Sequence, residues 1–302
     1  MNSLPKHGRK KSFKMISLLM FTYNEQDHIR QSLESILSQD YQNFNLIILD
    51  DCSTDKTYEI LKEYKHKDPR ISLYANKMRK GYCYNYRKTF QLINEEPQYF
   101  AWVAGHDVYT NTWLSSHVNE ISKYDEVALI YSKSSRIDKN NQLIPHEYES
   151  INYSNYIIDS DFQRVKNIIW RGSGYGNMIY GLFRYSIVKQ MNKFPFTLVP
   201  DMMFIFELSK WGKIYLLPEI LWHRRFVNKY DPERQKRVGF NKIPRYLSVN
   251  WRIVNFFILF YRTVISIPSQ KKKRILGLYL SCNYMFRYFI DYIKLYIFKL
   301  KY

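Results

Sequence analysis

The chain has 302 residues, 46% of them hydrophobic and 24% charged, which excludes a disulfide-stapled mini-protein and a disordered chain and leaves one large domain or two small ones. The net charge is +19, with twelve basic and no acidic residues between Arg234 and Arg287 and five more basic residues, Lys6, Arg9, Lys10, Lys11 and Lys14, near the start. Such asymmetry calls for an anionic partner, either nucleic acid or an acidic membrane surface.

Three cysteines, Cys52, Cys83 and Cys282, are far apart and lack any metal-ligand spacing, so reduced thiols in a cytosolic compartment are expected. After the basic tail, Met15 to Tyr23 imitates a signal peptide. Its apolar run is short, however, and leads into Asn24-Glu25-Gln26-Asp27 without a small-residue cleavage site, so it reads as a buried strand.

In chain order, Ile16 to Phe21, Leu46 to Leu49, Ile71 to Tyr74 and Phe100 to Val103 are short apolar runs suited to buried strands. Between the first two, Ile29, Leu33, Ile36 and Leu37 fall on one face of a helix over Gln26 to Ser38, with Asn24 as the expected N-cap. A second helix is expected after Ser53 or Thr54, carrying Tyr58, Ile60, Leu61 and Tyr64, and a third over Tyr84 to Asn94. The βαβαβα order predicts a mostly parallel sheet with helices on both faces, whose ligands bind at the carboxyl ends of the strands. Those ends carry Thr22 to Glu25, Asp50 to Ser53, Asn76 to Gly81 and Gly105 to Asp107, and three of the four are polar and acidic. No GxGxxG follows a strand and no GKS or GKT occurs, so the usual nucleotide loops are absent.

In sequence order, Ser17-Leu18-Leu19-Met20-Phe21-Thr22-Tyr23-Asn24-Glu25, Ile48-Leu49-Asp50-Asp51-Cys52-Ser53-Thr54-Asp55, Asn76 to Asn85 and Tyr99 to Tyr109 resemble the donor half of family-2 glycosyltransferases. Met178 to Arg184 and Asp201 to Glu219 resemble the acceptor half of the same family. The resemblance covers roughly residues 15 to 225. It implies a GT-A fold, Rossmann-like and α/β, with a mostly parallel sheet flanked by helices and a C-terminal helical extension. The expected boundaries are a basic tail at 1–14, a GT-A domain at 15–230 (nucleotide-binding half 15–110, acceptor half 111–230) and a basic amphipathic helical region at 231–302.

The activity implied is inverting, metal-dependent transfer of a sugar from a nucleotide-diphosphate sugar, a UDP-sugar by default, to a lipid-linked or surface polysaccharide acceptor. Phe21, Thr22, Tyr23, Glu25, Asp51, His106 and Asp107 would bind the nucleotide sugar, Asp107 would hold Mn²⁺ or Mg²⁺, and Asp201 would be the catalytic base. Two departures stand out. Cys52 occupies a position where Gly is frequent, tolerable if its backbone keeps a negative φ, and His106 stands where relatives carry a second carboxylate. The second departure motivates the alternative of a catalytically inactive nucleotide-binding or scaffolding subunit. Arg224 and Arg225, after His223, would either reach the diphosphate or face solvent.

In the C-terminal region Arg252 and Arg262 bracket the apolar block Phe256 to Tyr261 at a separation of about 15 Å of helix, half a bilayer core. A pair of basic amphipathic helices lying on the membrane therefore fits better than a span, with residues 242–302 docking on an anionic surface. A helical subdomain packed on the core or on a second copy of the chain is the competing arrangement. No nucleic-acid reader motif is present, so nucleic acid is not the expected partner. The expected location is cytoplasmic, peripheral on the inner face of the cell membrane.

Overall fold

The computed structural model describes residues 15–145, 175–191, 200–209 and 211–226. The basic tail at 1–14 and the C-terminal region at 231–302 lie outside the described residues. So does the membrane-docking segment expected within the latter.

Four parallel strands form the first half of the sheet: β1 (Ile16–Thr22), β2 (Phe44–Asp50), β3 (Ile71–Ala75) and β4 (Tyr99–Ala104). β1 and β4 are near-continuous apolar runs because both of their faces are covered, the pattern of central parallel strands. Helices α1 (Ile29–Leu37), α2 (Thr57–Lys67) and α3 (Tyr82–Gln91) make the crossovers. β5 (Val108–Tyr109), α4 (Trp113–Ile121), β6 (Val127–Ile137), α5 (Tyr175–Met178), β7 (Leu182–Arg184), α6 (Tyr185–Lys189), α7 (Pro200–Leu208) and β8 (Lys213–Arg225) follow.

All eight strands join one sheet in the order β3-β2-β1-β4-β7-β6-β8-β5. The expected parallel arrangement holds for the first half. Beyond it the sheet is mixed, since β7 is antiparallel to both β4 and β6, β8 is parallel to β6, and β5 is antiparallel to β8.

Two helices start later than their hydrophobic periodicity suggests, for one physical reason. The turns after β1 and β2 spend their polar groups on each other. Thr54 N and Asn24 Nδ2 are bonded across the gap to Asn24 Oδ1 (2.9 Å) and Thr54 Oγ1 (3.1 Å), and Gln26 N donates to Asp55 Oδ2 at 3.3 Å. Asn24 is thus not the N-cap of α1, which is His28; it takes a left-handed φ of 53° and ties two loops together. Ser53, Thr54 and Asp55 are likewise loop clasps, and α2 waits until Thr57.

One apolar cluster lies under α1, α2 and α4, around Leu18, Met20, Leu33, Leu46, Leu61 and Trp113. The other lies under α3 and α7 and is rich in aromatic rings. Trp102 meets Phe183 and Phe204 edge-on at 5.5 and 5.2 Å, and Phe100 stacks on Phe183 at 5.1 Å. Each such contact adds roughly 0.5–1.5 kcal/mol beyond area burial, so this layer fixes α7, the helix that carries Asp201, against β4.

Candidate functional site

Chain order reverses on either side of β1, with β2 and β3 on one flank and β4 on the other, so the crevice at the carboxyl ends of these strands is a topological switch point. The polar strand ends meet there.

At the β2 end, Asp50 and Asp51 face different tasks. Asp50 is 2% exposed and clasps its own turn, accepting from Ser53 N at 2.8 Å and Ser53 Oγ at 2.5 Å; burial pushes its carboxyl up. Asp51 accepts from Lys80 N (2.7 Å), Asn76 Nδ2 (2.8 Å) and Gly81 N (2.8 Å), pinning the loop after β3 over the crevice. A carboxylate offers about four acceptor positions, so one remains for a ligand N–H. Gly81 makes this approach possible with φ 81° and ψ 168°, a backbone conformation that suits glycine.

Cys52 has φ 62°, so the negative φ that would make Cys an easy replacement for Gly is not found. The sharp turn between the Asp51 and Ser53 bonds forces a left-handed residue there, which costs a side-chain-bearing residue about 1–2 kcal/mol.

At the β1 end, Phe21 packs edge-on against Tyr86 (4.7 Å) and Tyr82 (6.2 Å) on the α3 side. Thr22 is 3% exposed beneath Gly105, and its hydroxyl has no hydrogen-bond partner. Tyr23 carries the Arg79 guanidinium over its ring at 4.1 Å, while Arg79 Nε and Nη2 are buried without a hydrogen-bond partner. Sequence reasoning missed Arg79. Its neighbours in the chain give no hint that the loop turns it onto Tyr23.

At the β4 end, His106 Nδ1 lies 3.3 Å from Glu25 Oε1 and its Nε2 lies 3.7 Å from Asp107 Oδ1. Burial pulls the imidazole down, but the Glu25 and Asp107 carboxylates outweigh it and raise its pKa to about 9. Asp107 is 1% exposed, and burial holds its carboxyl above the usual range. Oδ1 accepts the backbone N–H of Arg225 at 2.8 Å, and Oδ2 accepts no hydrogen bond among the described residues. Asp107 is not the cap of α4, which starts from Thr112.

Arg225 does not reach toward a diphosphate, nor does it face solvent. It is 4% exposed, and its guanidinium donates to His106 O, Asp138 O, Lys139 O, Gln31 Oε1 and Asn141 Oδ1. These partners are scattered over the chain, which is why no local pattern announces them. His223 Nδ1 sits 2.6 Å from Ser135 Oγ.

Asp201 lies in the first turn of α7, where the helix dipole favours a carboxylate. Its charge acts on Tyr180 and Tyr86, and Tyr180 also feels Asp107; burial and these two carboxylates push the Tyr180 phenol to about 12. The charges of Asp201 and Asp107 are thus both felt at Tyr180.

The family model for glycosyl transferase family 2 matches residues 17–181, more than half of the chain. The chain belongs to glycosyltransferase family 2. This glycosyltransferase is 24% identical over 254 residues to an uncharacterized glycosyltransferase of Haemophilus influenzae, covering 80% of this chain and 78% of that one. It is 30% identical over 148 residues to the Escherichia coli UDP-Glc:alpha-D-GlcNAc-diphosphoundecaprenol beta-1,3-glucosyltransferase WfaP, covering 49% of this chain and 48% of that one. In fold it resembles Staphylococcus aureus TarS 1–349 in complex with UDP-GlcNAc, with a TM-score of 0.66 at 16% identity over 91% of this chain and 72% of that one. The expected GT-A fold and enzyme class are borne out. Among the described residues no helix is long and apolar enough to cross a membrane.

Proposed function

We propose that this glycosyltransferase moves a sugar from a nucleotide-diphosphate sugar to a lipid-linked or surface polysaccharide acceptor, with inversion at the anomeric carbon. The observation that carries the proposal is the polar cluster at the strand ends, where Glu25 lies against His106 and His106 against Asp107, while Asp51 pins the loop after β3. A UDP-sugar is the favoured donor. WfaP, whose name specifies UDP-Glc and a diphosphoundecaprenol acceptor, supports both halves of that reading.

Asp51 and Tyr23 bind the nucleoside end, with Phe21 and Thr22 supporting the pocket floor, while Glu25, His106 and Asp107 face the diphosphate. Among the described residues no three His, Cys, Asp or Glu side chains converge to hold a metal by themselves. Asp107, a buried carboxylate whose Oδ2 accepts no hydrogen bond among the described residues, would hold an oxygen-seeking Mn²⁺ or Mg²⁺ together with phosphate oxygens and water. Such an ion, when bound, neutralises the diphosphate. Asp201 accepts the acceptor hydroxyl's proton as its oxygen attacks, and a single displacement needs no second base. Docking on an anionic inner-membrane surface through residues 242–302, a cytoplasmic location and self-association belong to the same proposal and rest on sequence.

The test is transfer from a panel of UDP-, GDP- and dTDP-sugars to a diphospholipid-linked acceptor in the presence of manganese. Asp201→Asn keeps the side chain's shape and removes its basicity. Transfer should fall about 100-fold or more with donor binding intact. Asp107→Ala should abolish the manganese dependence of donor binding. Equal transfer by Asp201→Asn and wild type removes Asp201 as base, and binding without transfer under every condition supports the non-catalytic alternative that His106 motivates.

A further inference from the structure

The loop after β3 and the helix it enters, α3, carry a charge pattern that sugar transfer itself does not use. From Ala75 to Asn94 there are five basic residues and no acidic one. Asp51 holds this loop from below by accepting Lys80 N and Gly81 N, and Arg79 is turned inward, its guanidinium 4.1 Å from the centre of the Tyr23 ring. The residues around Arg79 are left outside. Lys77, Met78 and Lys80 are exposed, Met78 by 58%.

The helix continues the pattern. Tyr84, Arg87 and Lys88 recur at i, i+3 and i+4 on one face of α3, while Asn85, Tyr86 and Thr89 are buried against the sheet. Lys80 Nζ lies over the Tyr84 ring at 5.9 Å, which joins the loop to that outer face. Among the described residues Lys77, Lys80, Arg87 and Lys88 form no ion pair, whereas on α1 and α2 Arg30 and Lys67 are both matched by Glu63. Four unmatched cations on a surface pinned in place call for an extended anionic partner. A free polyanion answers the cations alone. A leaflet of anionic lipid also receives the exposed methionine, and it suits Tyr84, whose ring has an apolar body and a polar tip.

We propose that the loop after β3 and the outer face of α3 form a membrane contact, in which Lys77, Lys80, Arg87 and Lys88 lie on anionic headgroups and Met78 enters the interface. This surface is separate from residues 242–302, and it lies on the opposite face of the sheet from α1 and α2. Its purpose rests on the lipid-linked acceptor reading above. The same loop is bonded to Asp51 at the crevice, so docking through it holds the crevice at headgroup level, where the sugar end of such an acceptor lies.

The experiment uses the full chain and measures co-sedimentation with mixed phosphatidylglycerol and phosphatidylcholine vesicles, with no donor or acceptor present. Three proteins are compared with wild type after circular dichroism has shown each to be folded: Lys77→Gln with Arg87→Gln and Lys88→Gln, Met78→Ser alone, and a control with Lys62→Gln, Lys65→Gln and Lys139→Gln. The control removes the same charge from other exposed positions. A cation held at an anionic surface strengthens partitioning about fivefold, so the first variant should bind on the order of 100-fold more weakly. Met78→Ser should lose about tenfold, for the loss of a partly buried apolar side chain. The control should lose less than about threefold, because charges beyond a Debye length from the lipid are screened. Equal losses in the first variant and the control overturn the proposal, since net charge or the C-terminal region would then carry the contact. Wild-type binding by Met78→Ser overturns it too, and so does tighter association with an oligonucleotide duplex than with the vesicles. UDP binding by wild type is measured separately without lipid. Its absence would sink the sugar-transfer reading and leave the vesicle result standing.

Discussion

Thr57 Oγ1 accepts the backbone N–H of Glu25 at 2.7 Å, so the first residue of α2 holds the carboxylate-bearing residue that faces His106. The motif that runs from Asp50 to Asp55 thereby positions the loop after β1 as much as it provides a ligand of its own.

Thr57 is fully buried, so Thr57→Val keeps the packing volume and removes the acceptor. The expected cost is about 1–2 kcal/mol in urea unfolding, with a lower transfer rate because Glu25 loses its anchor. Thr57→Ser keeps the hydroxyl and should recover most of the rate. A Val variant as fast as wild type would show that the anchor does not set the position of Glu25.

Arg225 joins β8, α1, the Asp138 to Asn141 turn and the His106 carbonyl through one buried guanidinium. Arg225→Met should destabilise the protein by roughly 3 kcal/mol, since several buried acceptors lose their donor together. Thermal unfolding followed by circular dichroism would read this directly. A change within experimental error would mean that water replaces the guanidinium at little cost.

Cys52 shows where reading the sequence succeeded and where it failed. The chain order of β1, α1, β2, α2, β3, α3 and β4 was legible because buried parallel strands are apolar runs and their helices carry a periodic stripe. The starts of α1 and α2 were not legible, since side chains of one loop satisfy the backbone of the other. The long strands β6 and β8 were not singled out either; polar residues such as Ser132, Ser134, His223 and Arg224 interrupt their apolar pattern. Arg79 and Arg225 are the same letter in two different environments, set by contacts distant in the chain. At Cys52 the frequency of Gly in relatives was the signal, and its physical content was a left-handed backbone. Cys52→Gly should therefore raise stability by up to about 1 kcal/mol, the relief of φ 62° offset by the greater freedom of glycine in the unfolded chain. A lower urea midpoint for the Gly variant would mean that the thiol's packing outweighs the strain.

His117 is fully buried on α4, and its Nδ1 lies 2.6 Å from the Trp113 carbonyl, so Nδ1 carries the proton and Nε2 is left buried without a partner. Burial lowers its pKa to about 4 from an ordinary value of 6.5. The unfolded chain thus takes up a proton on this residue at a pH where the folded chain does not. Stability is unaffected above about pH 6.5, declines as the pH falls from there toward 4, and stops changing on this account below 4, for a total on the order of 3 kcal/mol. His117→Leu removes the titration while keeping an apolar group among Trp113, Leu114 and Val118. Urea unfolding at about pH 7 and about pH 4.5 should show wild type losing more stability than the Leu variant, with the carboxylates common to both acting as the background. If the two proteins lose stability in parallel, the acid sensitivity comes from those carboxylates, and the buried imidazole has no part in it.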